Sequence, residues 1–229
     1  MKYILLFKAL LFFSITAQSQ HAMFHAHNVT PSSCGSNLII MHTSGTVAPE
    51  TKTVTYGIIQ TSLSGAIKCW ITQNLGADNQ AGSATDATDA AAGWYFQFNH
   101  KQGYKVGPAP AWTITSISES SDWVTANDPC SIELGTDWRI PTYTEWFNAD
   151  ANGPWSNVGN AYSSVLVLHV AGYLNLTNGG LLNRGSVGYY WSSTQASSLF
   201  GDKLSLGGLT STVGNDNKAY GFSVRCIKD

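Results

Sequence analysis

Charge is scarce in this chain of 229 residues: Asp, Glu, Lys and Arg together make up 11% of it, against about a quarter in an ordinary globular domain. The net charge is -2 and no cluster of lysines or arginines forms anywhere. A nucleic-acid partner, which needs a basic footprint, is therefore not expected. Beyond the first twenty residues no apolar run approaches the ~20 residues that cross a bilayer, so no transmembrane segment is expected in the mature chain. The GxSxG elbow of hydrolases is missing, as is the ligand spacing of an EF-hand. No cofactor or resident metal is expected. What the chain has instead is a 43% hydrophobic share, enough for a substantial core, and a surface drawn from Ser, Thr, Asn and Gly. That balance suits a strand- and loop-rich exported protein better than a helical bundle.

The start of the chain supports export. Lys2 and Lys8 precede and enter the apolar run "ALLFFSITA", and "AQS" ending at Ser19 supplies small residues for cleavage, so residues 1–19 read as a signal peptide. A membrane anchor would need a longer run, and a lipid anchor would need a cysteine at the cleavage point; the first cysteine is Cys34. The expectation is a soluble mature chain from about Gln20, placed in the periplasm, on the cell surface or outside the cell. An even set of four cysteines, Cys34, Cys69, Cys130 and Cys226, then reads as disulfides. Three pairings are open, and spacing does not choose among them.

Residues 20–52 read as an irregular lead-in, in which His21, His25 and His27 could hold a transition metal loosely but are better taken as part of an exported N-terminus. "TVTYGIIQTS" and "GAIKCWITQNL" read as two strands joined by Ser62–Gly65. Asp86 and Asp89, in a run of small residues, read as solvated or capping groups. A long excursion spans 103–127. Pro141 discourages helix in Ile140, which leaves Thr142 as a helix N-cap and sets Glu145 at capping-box spacing. Glu145 is thus a cap rather than a general acid. "SSVLVLHVAGYL" is expected to contain a strand, and His169 sits inside its apolar run. The last stretch, "KAYGFSVRCI", alternates, with Tyr220, Phe222, Val224 and Cys226 on one face and Gly221, Ser223 and Arg225 on the other. An inward Cys226 could reach Cys130.

Four blocks carry a resemblance: "WITQNLGA", "CSIELGTDWRIPTYTEW", "GYYWSSTQ" and "GFSVRCIKD". In this order they resemble the Fibrobacter succinogenes major paralogous domain family of exported bacterial proteins, over about residues 53–229. The resemblance implies an α+β, C-type-lectin-like fold: a twisted antiparallel sheet, one or two short helices and a long loop-rich half. It also implies that Cys130 pairs with Cys226, leaving Cys34 with Cys69. Trp191, in the third block, falls to the structural set. In so weakly charged a protein, Arg139 and Arg225 are expected to be paired structural ties, because an unpaired buried charge is costly. The candidate partners for these arginines are the carboxylates of Asp128, Glu133, Asp137 and Glu145.

The function implied is a non-catalytic binding or surface module whose partner is a glycan or a surface protein. Trp155 is a candidate stacking surface for a sugar ring and reads equally well as ordinary core packing, with Asn157 in the same stretch; Asn215, Asp216 and Asn217 are candidates that also read as a hairpin turn. The calcium-dependent sugar motifs EPN, QPD and WND are absent. The stretch between Gln195 and Ala219, aromatic-rich in relatives, keeps only Phe200. Two rival readings are an enzyme of the formylglycine-generating fold group, which would need a reactive cysteine, and a purely structural envelope protein. His100 and His169 do not assemble into a Ser-His-Asp pattern by sequence.

Overall fold

The computed structural model describes Cys34, Gly35 and residues 37–229. The expected signal peptide and the three early histidines lie outside the described residues. Two strands, β1 (Asn37–His42) and β2 (Lys52–Thr61), pair antiparallel with Asn37 opposite Gly57 and His42 opposite Lys52. β2 then folds back onto β3 (Lys68–Ile71). The expected turn between them is present: Gly65 donates to the Ser62 carbonyl at 2.9 Å and takes a φ of 93°, a left-handed value that a Cβ would oppose.

β1 corrects the reading of 20–52 as wholly irregular. Exposed Ile39 and Met41 alternate with half-buried Leu38 and Ile40, so both faces are apolar and no polar alternation betrays the strand.

The chain continues through α1 (Asp89–Ala92), β4 (Tyr95–Phe96), β5 (Gly103–Tyr104), α2 (Pro129–Leu134), β6 (Trp138–Arg139), α3 (Tyr143–Asn152) and α4 (Val158–Ser163). After these come β7 (Tyr173–Leu174), β8 (Leu181–Leu182), β9 (Val187–Gln195), β10 (Phe200–Gly207), β11 (Ser211–Asn217), β12 (Phe222–Ser223) and β13 (Ile227–Lys228). The architecture is mixed α+β, built mostly of strands. One sheet runs β1-β2-β3-β13-β6, a second β11-β10-β9-β12-β4-β5, and β7 pairs with β8. Neighbours are antiparallel except β9 with β12.

Sequence signals set the helix starts. Asp128 caps α2 by accepting from the N–H groups of Cys130 and Ser131, with Pro129 at the first helical position where a missing N–H costs nothing. Thr142 and Glu145 form the expected capping box on α3, each side chain accepting from the other's backbone.

The last stretch departs from a simple half-exposed strand. Its alternation holds on one face, where Phe222, Val224 and Cys226 join one core with Tyr220 packed against it. The other face is buried as well: Ser223 and Arg225 are both fully enclosed, and Ile227 belongs to a second core around Trp70, Trp146 and Leu204. The ladder breaks after Ser223, so β12 sits in one sheet and β13 in the other. The segment between them links the two sheets.

"SSVLVLHVAGYL" also differs from expectation, since only its last two residues are strand. Leu166, Leu168 and Val170 are buried without a ladder. Their backbone bonds go to single partners, with Leu168 donating to Ala161 and Val170 to Ala84.

Candidate functional site

The frame that would carry a site is held by two disulfides and two arginines. Cys34 is bonded to Cys69 and Cys130 to Cys226, with Cα separations of 5.7 and 5.6 Å. The second bond closes a loop of 96 residues, worth about 4–5 kcal/mol in the chain-entropy account. Arg139 makes a fork with Glu145, Nη1 to Oε2 and Nη2 to Oε1, both at 2.7 Å. It also reaches Asp229, a partner missing from the sequence-based candidates, at 2.8 Å. Burial pulls the Glu145 carboxyl upward, but the hydrogen bond from Arg139 and the Thr142 N–H outweigh it and leave Glu145 below its ordinary range. One carboxylate thus caps α3 and anchors β6.

Arg225 overturns the expectation of a carboxylate partner. It is 0% exposed, and its guanidinium donates to the carbonyls of Ile71 and Leu166 and to the side-chain oxygen of Asn74, at 2.9 to 3.2 Å. Burial lowers its pKa to about 10, so it is still a cation at neutral pH. Trp191 is structural as expected, fully buried with its indole N–H on the Phe96 carbonyl.

The sequence-predicted ligand residues separate. Trp155 is 6% exposed inside the second core, so no ring face is left to stack a sugar; eight tryptophans crowd a small protein and most are needed for packing. Asn157 is the N-cap of α4, accepting from the Asn160 N–H at 3.1 Å. Asn215–Asn217 end a strand instead of forming a hairpin turn. Asn217 accepts from the Ala219 N–H, and the turn follows it. Asn215 and Asp216 point to opposite faces of β11, as successive strand residues must. Only Asp216 comes beside a surface with ligand-like chemistry. Asp86 is a loop cap, accepting from Gly82 and Thr88. His169 is buried with neither ring nitrogen hydrogen-bonded among the described residues.

That surface consists of Tyr173, Tyr189 and Tyr220, all half-buried. Tyr173 lies 5.1 Å from Tyr189 and 5.6 Å from Tyr220, between ring centroids. Phe222 underlies them, 4.9 Å from Tyr189 and stacked on Tyr220 at 5.7 Å. Lys203 lies over the Tyr189 ring at 4.4 Å, bonded to the Ser205 hydroxyl and 3.8 Å from Asp216. The three tyrosines differ from Tyr56, Tyr95 and Tyr190, which are fully buried and whose hydroxyls are committed to His42, the Ala171 carbonyl and the His169 carbonyl. Tyr173, Tyr189 and Tyr220 are half-buried amphipathic rings at the margin of the first core.

Each of these tyrosines adjoins a glycine, and the glycines bring the strands together. Gly172 bridges to Gly188 and Leu174 to Gly221. A Cβ on Gly188 would fall 2.6 Å from the His169 carbonyl, and one on Gly221 would fall 2.9 Å from the Leu174 Cβ. Only bare backbone fits at that spacing. The Gly-Tyr and Tyr-Gly pairs at 172–173, 188–189 and 220–221 were the signal that sequence reading passed over.

Among the described residues no three His, Cys, Asp or Glu side chains gather as a metal site. Comparison with family models, with curated proteins and with solved structures finds no match for this chain.

Proposed function

We propose that this chain is an exported, non-catalytic binding module of C-type-lectin-like type, similar to the Fibrobacter succinogenes major paralogous domains, and that it recognises a glycan. The observation that carries the reading is the tyrosine surface with Lys203 and Asp216 at its edge. A pyranose ring offers an apolar C–H face and a rim of hydroxyls. Aromatic faces take the first, while tyrosine hydroxyls and the Asp216 carboxylate take the second; Lys203 is buried and supports Tyr189 and Asp216 from beneath. Tyrosine contributes such contact area at low entropic cost, having two side-chain torsions to fix.

Export is supported by the two disulfides, which persist in oxidising compartments. No helix among the described residues is long and apolar enough to cross a membrane. The rival enzyme reading needs a free thiolate, whereas Cys34, Cys69, Cys130 and Cys226 are all disulfide-bonded. The sugar surface contains no calcium-ligand set, so calcium should be irrelevant to it. A glycan array run with the purified chain, with and without a calcium chelator, is expected to show the same bound glycans in both arms. Binding to no glycan in either arm would overturn the reading in favour of a structural envelope role.

A further inference from the structure

A second concave surface lies apart from the tyrosines. Glu50, Lys52, Asp78, Asp89, Lys105 and Arg184 line a cavity of about 170 Å³, with Gly76, Gly93 and Trp94 among its other lining residues. In a chain with 11% charge, six charged side chains around one cavity are a concentration to be explained. They are paired among themselves: Lys52 with Glu50 at 3.1 Å and Asp78 at 2.9 Å, Lys105 with Glu50, and Arg184 with Asp89.

The pairs are lopsided. The two least exposed cations are Arg184 at 9% and Lys52 at 18%, and their partners Asp89 and Asp78 are 80% and 57% exposed. Each of these carboxylates touches its cation through one oxygen. Arg184 is held from behind by the Tyr95 hydroxyl, which accepts from Nε and Nη2, and Lys52 lies 5.3 Å from the centre of the Trp94 ring. The cations are therefore fixed, while the acids can swing into water. Because both acids are already largely hydrated, an incoming anion can take their places at the cations without stranding either carboxylate away from water. Trp94, one of the lining residues, has an indole N–H that is buried and without a hydrogen-bond partner among the described residues.

We propose that this cleft is a self-capped anion site, in which Asp78 and Asp89 stand in for the carboxylate of a small hydroxylated acid such as an acidic sugar. Lys52, Arg184 and Lys105 pair with the ligand carboxylate, and Glu50 accepts from its hydroxyls. The ligand class deepens the glycan reading and rests on it, but the surface is separate, so the two can fail independently.

The test is titration calorimetry of the full chain with sodium glucuronate at low salt, with glucose and acetate as controls. Glucuronate should bind saturably, glucose should not, and acetate should bind more weakly. The paired substitution Asp78→Asn with Asp89→Asn removes the caps and should tighten glucuronate binding by about five-fold, whereas Lys105→Met should weaken it. Circular dichroism checks the fold of both variants. A merely structural cluster would gain affinity for acetate and glucuronate alike on losing two carboxylates, whereas the site should gain more for glucuronate. Absence of glucuronate binding, equal binding of glucose, or an uncapped variant that binds no better would each overturn the proposal. Replacing Tyr189 and Tyr220 by alanine should leave glucuronate binding unchanged, which separates failure here from failure of the tyrosine surface.

Discussion

Arg139 and Arg225 tie the end of the chain to the rest of the fold by opposite means. Arg139 is part-exposed and neutralised by two carboxylates, Glu145 and Asp229. Arg225 is enclosed, donates to three uncharged oxygens and lies 6.0 Å from the centre of the Tyr190 ring. The difference shows what a charge-poor chain does with a buried guanidinium. Burying a segment without a ladder leaves carbonyls that need donors, and Leu166 lies in such a segment. Arginine presents five N–H donors in a rigid fork, so one side chain can serve the end of β3, the loop at Asn74 and the irregular run through Leu166. Arg139 works as an ion pair, whereas Arg225 works as a supply of hydrogen bonds.

Arg225→Met removes all three donations and leaves buried acceptors unpaired, so the expected loss is about 3–5 kcal/mol, read by urea unfolding. Arg139→Met leaves the buried Glu145 carboxylate still capping α3, with Lys68 at 3.4 Å as its remaining cation, and should cost about 1–2 kcal/mol. If the two losses were equal, or their order reversed, the distinction drawn here would fail. Full thermal stability of Arg139→Met would remove that residue from the structural set.

A smaller effect concerns pH. Burial, with Arg225 and Arg184 nearby, pulls His169 down to about 4 from an ordinary 6.5, against a small opposing pull from Asp86. Between those values the unfolded chain binds a proton that the folded chain refuses. Stability is therefore full above about pH 6.5 and falls as the pH drops toward 4. The variant His169→Leu should show a flatter decline over that window in denaturation curves taken at several pH values. An identical decline in both proteins would rule out His169 as its source.

What was legible in the sequence was whatever rests on local chemistry. The capping box at Thr142 and Glu145, the Ser62–Gly65 turn, the mixed α+β class and the pairing of Cys130 with Cys226 all follow signals a few residues long or a shared block. What was not legible depends on distant elements. Trp155 looked like a binding residue because its flanks are polar, yet its ring fills the second core. The stretch 163–174 was expected to contain a strand because it is nearly continuous in apolar residues, but the strand is confined to Tyr173–Leu174, and Leu168 and Val170 donate to Ala161 of α4 and to Ala84. Arg225 looked like half of an ion pair, since nothing local reveals a cage built from residues 59 to 154 positions away. The tyrosine surface joins β7, β9 and the lead-in to β12, and Asp216 was its one predicted member.

On the proposed function, a doubly cross-linked frame presents Tyr173, Tyr189 and Tyr220 as a sugar-binding face. The direct measurement is the affinity of the strongest array glycan for the native chain and for the paired variant Tyr189→Ala with Tyr220→Ala, after matching their folds by circular dichroism. The account predicts at least a ten-fold loss, since base-free aromatic contacts of this size are worth about 1 kcal/mol or more per ring. Unchanged affinity in the folded variant would contradict it.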